Sequence, residues 1–559
     1  MHLLTQRCRG LSHNGLLPSL RVAAGRWSGR DPSNSKPYPF AAPLPLRLAR
    51  SNYGNGLTRP SPPAFQTPLA DAPSRKRAEP YEAKAVVIGG GPAGMAAVAN
   101  LLEAIPDGKV VWIDKTFQGG TTWLWQETQS YSWVEEFLRF ARHNDIFREI
   151  CNARDRKPIE ALERLDGKKT CCLRHVVDML NFLSDGLLRH ERVRAVSGTA
   201  ETTARDQLTL KWTVTVRPPS TPGHDKTAVG RFCTPLVVLC TGSRPRELAI
   251  ELPRPAALGS GLDPRQLNRR LHVWMQSWAE QVGNSTMPMT VAVVGDSHSA
   301  VMTLHNLSGI ARVVAPRLRI RWFTREANLK YTKLAPGPLT DDPPRTVLNE
   351  RDGLRGVAAA FALRELEGDK IATSKAGAVI ERLILPKPPA PSDPQSQRQR
   401  RQWEEKREEL ETQFIAEHLD GVHRIFQCIG FERAPPPEVR PALAPLEDPN
   451  FGRRRQLAVN DRTGSFYPAG GDPAVVIGLF GAGSAFPESV EVADGPRRPA
   501  VSMAAYGEFV KRMAPQWVEA TWAGQMSGEE IKMLTQEQWM QRQARMKERK
   551  ETAKGFEYY

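Results

Sequence analysis

Short runs of consecutive apolar residues, most of them followed closely by glycine, recur along the chain from Lys84 onward. Strands that are buried on both faces of a parallel sheet have such continuous runs, whereas half-exposed strands alternate apolar and polar positions. Two of the runs lead into helices that are rich in small residues, as a strand, turn and helix unit requires. The pattern predicts an α/β protein with strands in the segments 84–102, 110–114, 235–242, 289–307 and 423–431.

The first segment has a glycine-rich turn between its strand and its helix. Gly89, Gly91 and Gly94 fit the pattern GxGxxG. The first glycine permits a tight turn, the second lets the backbone approach a pyrophosphate, and the third lets helix and strand pack closely. Pro92 and Ala93 open the helix, and the amides at a helix N-terminus face a bound anion.

A carboxylate ends the second strand, VVWID (110–114). Asp114 stands 20 residues after Gly94, where the acid of a dinucleotide-binding fold accepts hydrogen bonds from the adenosine ribose. A strand, turn, helix, strand and acid in register are much stronger evidence for a dinucleotide site than the turn alone. We assign to this site the residues Gly89, Gly91, Pro92, Ala93, Gly94 and Asp114.

A second turn of related sequence lies between residues 289 and 307. It reads Gly295-Asp296-Ser297-His298-Ser299-Ala300, so Ser297 replaces the central glycine and Ala300 the last. Alanine is accepted at the last position, whereas serine at the central one hinders close approach of the backbone to a pyrophosphate. The segment predicts a second, weaker dinucleotide site at Gly295, Ser297 and Ala300, while Thr241 and Gly242 end the strand at 235–242 beside the first.

The charge of the chain is concentrated before its first strand. Lys and Arg number 77 and Asp and Glu 61, and residues 1–80 alone hold 12 basic and 3 acidic side chains. A nucleic-acid-binding surface would place this excess on a folded face, so no nucleic-acid partner is expected. Seven cysteines without a CxxC pair predict neither a disulfide framework nor a metal site, and the absence of a long apolar run predicts no transmembrane helix.

The N-terminal region has the composition of a leader followed by a linker. Residues 1–30 contain five arginines and no acid, as mitochondrial transit peptides do, although a disordered basic arm on a cytoplasmic protein has the same composition. Residues 31–80 contain 11 prolines, which favour extended conformers and predict a linker.

The order of these motifs resembles that of two-dinucleotide-binding-domain flavoproteins, which include flavin-containing and N-hydroxylating monooxygenases and pyridine nucleotide-disulfide reductases. The resemblance extends over residues 84–512. It implies a Rossmann-like FAD-binding domain in two parts, 81–245 and 431–515, with a nested NAD(P)-binding Rossmann-like domain at 246–430. Two further segments, a densely charged insertion at 387–412 and a basic tail at 516–559, are expected to be solvated helices.

The resemblance also implies an activity. Hydride passes from NAD(P)H to FAD, and reduced flavin with O2 forms a C4a-hydroperoxide that hydroxylates a small molecule. The region 115–130 contains no cysteine, which excludes the disulfide reductases. Two alternatives stay open: a dehydrogenase that passes electrons to a quinone or protein acceptor, which a mitochondrial leader favours, and an FAD-stabilised binding protein without turnover, which the substituted second turn favours.

Other residues take roles only through this resemblance. Gly483 and Ser484 lie in the segment that closes the flavin pocket, where many relatives carry Gly-Asp to hold the ribityl chain, and a helix from about Pro499 directs its N-terminus at the flavin. The loop from Gly119 to Trp125 corresponds to the flavin edge, where Trp123 and Trp125 either shield the flavin from water or simply pack.

Two side chains of the nested domain bear on the nicotinamide nucleotide. Arg325, after the expected second strand, has the geometry to bind a 2′-phosphate and so to select NADPH, with NADH as the alternative. A solvated strand face explains it equally well, since Arg319 and Arg321 alternate nearby. His298 is interpreted as a helix-start residue near the nicotinamide rather than as an acid or base.

Overall fold

The computed structural model describes residues 80–523 apart from 127, 154, 207, 220–229, 249–288, 314–315, 327, 332–352, 388–393, 441–456, 470–474 and 493–494. The expected leader, nearly all of the proline-rich linker, and residues 524–559 of the tail therefore lie outside the described residues. Within the described ranges, no helix is both long and apolar enough to cross a membrane.

The first half of the described chain contains eleven strands. They are β1 (Tyr81–Glu82), β2 (Ala85–Ile88), β3 (Val110–Asp114), β4 (Gln129–Trp133), β5 (Thr170–Cys172), β6 (Val193–Ser197), β7 (Thr199–Arg205), β8 (Trp212–Arg217), β9 (Gly230–Thr234), β10 (Leu236–Leu239) and β11 (Ser243–Pro245). The second half adds β12 (Met289–Val294), β13 (Leu318–Thr324), β14 (Ile380–Ile384), β15 (Val422–Gln427), β16 (Phe431–Arg433), β17 (Glu438–Arg440), β18 (Leu457–Val459), β19 (Phe466–Pro468), β20 (Leu479–Gly481), β21 (Glu488–Val492) and β22 (Gly495–Ala500).

The helices fall between these strands. They are α1 (Pro92–Ala104), α2 (Val134–Ala141), α3 (Asp145–Cys151), α4 (Lys157–Glu163), α5 (Leu173–Arg189), α6 (His298–Val313), α7 (Gly356–Phe361), α8 (Lys370–Thr373), α9 (Pro394–Glu417) and α10 (Met503–Ala523). A 3₁₀ turn spans Thr122–Trp125, and a π-helical turn spans Ala362–Leu366.

Two parallel sheets organise the protein. The first has the strand order β20-β10-β2-β3-β6, and the second has the order β14-β13-β12-β15. All strands of the second sheet lie in the chain between β10 and β20, and β11 pairs antiparallel with β16 where the chain leaves and re-enters the first unit. The expected α/β class, with one Rossmann-like unit nested in another, is confirmed.

The first sheet is the middle of three layers. On one face α1, α5 and α10 bury a core around Met95, Leu101, Phe509 and Trp517. On the other face lies a mixed sheet of order β1-β9-β8-β7-β17, whose fully buried Trp212 packs towards the alternate side chains of β2 and β10. Burial on both faces explains why β2 and β10 consist of apolar residues alone.

Both Rossmann units build the junction between turn and strand in the same way. In the first unit, the Trp112 indole N–H of β3 donates to the Gly89 carbonyl at 2.9 Å. In the second, the Trp322 indole N–H of β13 donates to the Gly295 carbonyl at 2.7 Å. Each tryptophan is fully buried and fixes the first residue of its turn against the second strand.

Two elements, α10 and the charged insertion, differ from expectation. The helix expected from about Pro499 begins at Met503, because Gly495–Ala500 forms β22 and the Ser502 hydroxyl caps the helix by accepting from the Ala505 amide at 3.2 Å. The same helix continues to Ala523, beyond the boundary expected at residue 515, because Trp517 is buried in the first core.

The charged insertion is also only partly solvated. It forms α9, whose side chains from Arg400 to Glu409 are largely exposed, whereas Ile415 packs against the second sheet and Glu411 is 3% exposed. The described part of the expected segment, 387–412, is therefore solvated except near its end at Glu411, and the helix continues beyond it to Glu417. Charge is dense around the whole helix, and two adjacent apolar side chains near its end, Phe414 and Ile415, are too weak a periodic signal to reveal the packing.

Candidate dinucleotide-binding sites

The three glycines of the first turn have different reasons to be glycine. Gly89 has φ +120°, and a Cβ there would lie 2.1 Å from the Cys240 carbonyl oxygen. A Cβ on Gly94 would lie 1.9 Å from the Gly89 carbonyl oxygen. Both glycines are therefore required by contacts within the protein. Pro92 is the first residue of α1, where its missing N–H costs nothing.

Gly91 has no such internal reason. Its backbone is extended at φ −76°, and a Cβ there would meet only the Gly120 Cα, at an ordinary 3.8 Å. Any residue could adopt this conformation, and serine is a better N-cap than glycine. The open space in front of Gly91 therefore fits a group that approaches the backbone from outside the protein, as a pyrophosphate does at the N-terminus of α1.

Asp114 lies beside this turn, at the carboxyl end of β3. Its Oδ2 accepts from the Gly90 amide at 2.7 Å, and its Oδ1 accepts from the amides of Thr116 and Phe117, each at 2.8 Å. The Thr116 hydroxyl also lies 3.5 Å from Oδ1, whereas Oδ2 accepts only from Gly90. A carboxylate oxygen has about two acceptor positions, so one remains on Oδ2. The side chain thus holds the turn and keeps one acceptor for a ribose hydroxyl.

Thr241 and Gly242 follow β10 at the same edge of the sheet. The Thr241 hydroxyl is buried and has no hydrogen-bond partner among the described residues. Gly242 has φ +76° and nothing within 4 Å of the place where a Cβ would be. A buried hydroxyl without a partner costs about 1–3 kcal/mol, so its presence beside open space fits a ligand that bonds to it.

The C-terminal segment closes on the same turn. Gly483 has φ +86°, and a Cβ there would lie 2.5 Å from the Ala93 Cβ in the first turn of α1. The Ser484 hydroxyl hydrogen-bonds to the phenol of Tyr506 on α10, and burial raises the pKa of that phenol. Ser484 is therefore tied to α10, and the contact with the flavin that it was expected to make stays a prediction.

The loop after β3 reaches the turn from the opposite side. A Cβ on Gly120 would lie 2.9 Å from the Gly91 Cα, and the adjoining 3₁₀ turn carries half-buried Trp123 and Trp125. The Trp125 ring meets that of Phe431 edge to face, with centroids 6.5 Å apart. Phe431 is 56% exposed, so the two rings form an apolar wall beside the junction of the two units.

The second turn keeps the shape of the first with a different central residue. Gly295 has φ +124°, and a Cβ there would lie 2.4 Å from the Cys428 carbonyl oxygen, as at Gly89. Ala300 is fully buried at the position that corresponds to Gly94. The hydroxyl of exposed Ser297 donates to the Cys428 carbonyl at 3.3 Å. The turn fits a dinucleotide, with the serine side chain bonded to the neighbouring strand end.

His298 joins the second turn to the first unit. Its Nε2 lies 3.4 Å from the Gln129 carbonyl oxygen of β4, and its ring meets Tyr131 edge to face at 5.4 Å. Burial lowers the pKa of the imidazole, so the ring is neutral at pH 7. With the Nε2 proton on Gln129, Nδ1 is a buried acceptor that has no partner in the described part of the chain.

Arg325 is already paired. Its Nε and Nη2 donate to the two carboxylate oxygens of Glu411 at 2.8 and 2.7 Å, and this contact raises the pKa of the guanidinium. The role that Arg325 was expected to have in binding a 2′-phosphate stays a prediction. Glu411 itself was missed, because it lies 86 residues further along the chain in the charged insertion.

The structure thus places the expected site residues in two groups. Gly89, Gly91, Pro92, Ala93, Gly94, Asp114, Thr241, Gly242, Gly483 and Ser484 surround the carboxyl edge of the first sheet, while Gly295, Ser297, Ala300 and Arg325 lie at that of the second. Four further residues of these sites were not predicted from the sequence: Cys240, Cys428, Tyr506 and Glu411. The described ranges contain no cluster of three or more potential metal ligands.

These two sites, one in each of two nested Rossmann units, define the class: a protein with two nested dinucleotide-binding domains. The chain is 32% identical over 447 residues to monooxygenase AgnR1 of Paecilomyces divaricatus. The aligned region covers 79% of this chain and 99% of that protein. The chain belongs to the family of this fungal monooxygenase. No protein-family model matches it.

Solved structures show only distant likeness. Thioredoxin reductase of Lactococcus lactis is 12% identical over 79% of this chain and 99% of its own, with a TM-score of 0.35. A cadaverine monooxygenase of Erwinia amylovora, solved with FAD, is 13% identical over 45% of this chain and 54% of its own, with a TM-score of 0.31. A polycyclic ketone monooxygenase of Thermothelomyces thermophila is 14% identical over 47% of this chain and 38% of its own, with a TM-score of 0.29.

The two turns predict reciprocal effects of exchanging their central residues. Gly91→Ser should change the free energy of unfolding of the FAD-free protein by less than about 1 kcal/mol, because the protein leaves room for the side chain. It should raise the dissociation constant of FAD at least about tenfold by obstructing the pyrophosphate. Urea unfolding and fluorescence titration with FAD measure the two effects.

Ser297→Gly is the matched exchange in the second turn. It should tighten NADPH binding about twofold to fivefold and leave the FAD content unchanged. Full FAD affinity in Gly91→Ser would show that Gly91 does not face the pyrophosphate.

Thr241→Val removes the hydroxyl that has no partner. We expect the FAD-free protein to keep or raise its free energy of unfolding, because a methyl group tolerates burial better than an unbonded hydroxyl. FAD binding should weaken by about 1 kcal/mol, or roughly fivefold. The control is Thr203→Val in β7, whose fully buried hydroxyl also lacks a partner among the described residues but lies away from the site. If both variants lowered the affinity for FAD equally, the role of Thr241 in binding FAD would be refuted.

Proposed function

We propose that this protein is an FAD-dependent monooxygenase that uses NAD(P)H to hydroxylate a small organic molecule with O2. The observation that carries the proposal is Gly91, a turn glycine that no contact within the protein requires, in a chain that belongs to a monooxygenase family. The proposal extends the activity in the relative's name to this chain.

When bound, FAD supplies the acceptance of hydride from NAD(P)H and the activation of oxygen. The residues of the first site bind and orient it. The amides at the start of α1 favour the pyrophosphate, and the remaining acceptor of Asp114 suits a ribose hydroxyl. The Thr241 hydroxyl offers one more bond at the carboxyl edge of β10.

The aromatic wall of Trp125 and Phe431 gives the chain a means to exclude water. Oxygenation requires that the reactive site be dry, because water opens a route to unproductive release of peroxide. The two rings lie where the strand after Gly242 leaves the first unit, and they present apolar surface towards the junction. An apolar or aromatic substrate would be compatible with the same surface.

Rapid mixing distinguishes the activities. We expect NADPH to reduce the bound flavin in the absence of air, and the reduced protein to show a lag after mixing with aerated buffer before the spectrum of oxidised flavin returns. A dehydrogenase would instead react slowly with O2 and rapidly with a quinone, and a binding protein would be reduced by neither nucleotide. Trp125→Leu should shorten the lag while leaving the FAD content unchanged, since it opens the wall to water.

We also propose that residues 1–30 direct the protein to mitochondria. The support is their composition of five arginines without an acid, which suits import along an inside-negative potential. A fusion of residues 1–80 to a fluorescent reporter should enter mitochondria, whereas the same fusion with the five arginines changed to glutamine should stay diffuse. Diffuse signal from the unaltered fusion would contradict the proposal.

A further inference from the structure

The Arg325–Glu411 pair uses only one edge of the guanidinium. Glu411 accepts from Nε and Nη2, the side-on edge, at 2.8 and 2.7 Å. Arginine has five N–H donors in a fixed plane, so three remain, two of them on Nη1. Nη1 makes no hydrogen bond to the described residues, and 48% of the Arg325 side chain is exposed. The end-on edge is therefore free and its plane is fixed.

Arg325, Glu411 and Arg407 together carry one net positive charge. The Glu411 side chain is 4% exposed, and its carboxylate is flanked by a second arginine, Arg407, at 3.7 Å. One buried carboxylate thus faces two guanidinium groups. One turn earlier on α9, Glu408 is paired with Arg246 and adds no net charge. Asp296 in the second turn and Glu408 are the further acids that interact with Arg325 electrostatically.

The position of Arg325 suits the adenosine end of a bound nucleotide. It follows β13 directly, and β13 pairs in parallel with β12, which ends at Val294 before the second turn. In a Rossmann unit, the residue after the second strand is the one that meets the adenosine ribose and any phosphate on it.

We infer that Glu411 is a positioning residue that holds Arg325 ready to bind the 2′-phosphate of NADPH, and that α9 thereby makes the second site selective for the phosphorylated nucleotide. The inference rests on the proposed use of NAD(P)H at this site. A flexible arginine loses side-chain entropy when it binds a phosphate, whereas one that is already held by a buried carboxylate loses less. Arg407 offsets the charge of Glu411, so that the carboxylate does not repel the phosphate.

The test compares two probes that differ only in the 2′-phosphate: adenosine 2′,5′-bisphosphate and adenosine 5′-monophosphate. Both are titrated calorimetrically into the full chain with FAD bound. Glu411→Gln keeps the size of the side chain but loses its charge. We expect it to lower the affinity for the bisphosphate about fivefold to twentyfold and the affinity for the monophosphate less than twofold. Glu405→Gln, on the exposed part of the same helix, is the matched control and should change neither affinity by more than about twofold.

Two further variants keep the inference testable if Glu411→Gln lowers the yield of folded protein. Arg407→Gln changes a half-exposed side chain and should weaken the bisphosphate about twofold to fivefold, because Glu411 is then less neutralised. Arg325→Lys should abolish the preference between the probes, since an ammonium group cannot bond Glu411 and a phosphate in the same plane.

The outcomes separate the inference from the proposed function. Tighter binding of the bisphosphate to Glu411→Gln would show that Glu411 competes with the phosphate and would overturn the inference. Equal losses for both probes would show a structural role and would also overturn it. In either case, NADPH oxidation by the unaltered protein would leave the proposed function standing. If the unaltered protein bound neither probe and oxidised neither nucleotide, the proposed function itself would fail.

Discussion

Each Rossmann unit depends on a turn whose backbone touches the end of a neighbouring strand. A Cβ on Gly89 or Gly295 would lie within 2.4 Å of a carbonyl oxygen, that of Cys240 in one unit and of Cys428 in the other. In both units the amide of that cysteine also donates to the residue before the turn, at 2.8 Å. This close contact brings the first strand, the turn and the next strand of the sheet to one edge, and the helix that follows begins there. The site residues are gathered by this arrangement.

The two units then differ at the centre of the turn, and the difference suits their two ligands. The first unit has Gly91 with open space in front of it. Asp114, at the end of the second strand of this unit, accepts three hydrogen bonds from backbone amides and so holds the turn. The second has Ser297, bonded to Cys428, and a charged pair at the end of β13. A prosthetic group stays bound through many turnovers and requires close contact between its pyrophosphate and the backbone of the turn. A nicotinamide nucleotide leaves after each hydride transfer, so a less intimate turn is sufficient for it.

The sequence predicted the parts of the site that are local. The glycine spacing, the acid after the second strand and the apolar strands are read within some 30 residues, and they lie in the structure where a dinucleotide fold requires them. The partners that complete the site are distant in the sequence. Glu411 is 86 residues from Arg325, and Tyr506 contacts Ser484 only because α10 packs against the first unit. No local pattern specifies which carboxylate of a charged helix is buried. The start of α10 could have been predicted, because Ser502 before a run of good helix formers is an N-cap signal.

The nesting has a consequence for the order in which the protein folds during synthesis. The edge strand β20 of the first sheet pairs with β10, Val237 with Leu479, so the sheet gains its last strand only after every strand of the second unit has been synthesised. The second sheet is continuous from β12 to β15 and can form earlier. Once it has formed, the two-stranded pair of β11 and β16 brings residues 243 and 433 together, and the long loop that would oppose pairing of β10 with β20 becomes a short one. Folding of the inserted second unit thereby promotes completion of the first sheet. A substitution that destabilises the core of the second unit is expected to delay the pairing of β10 with β20 as well.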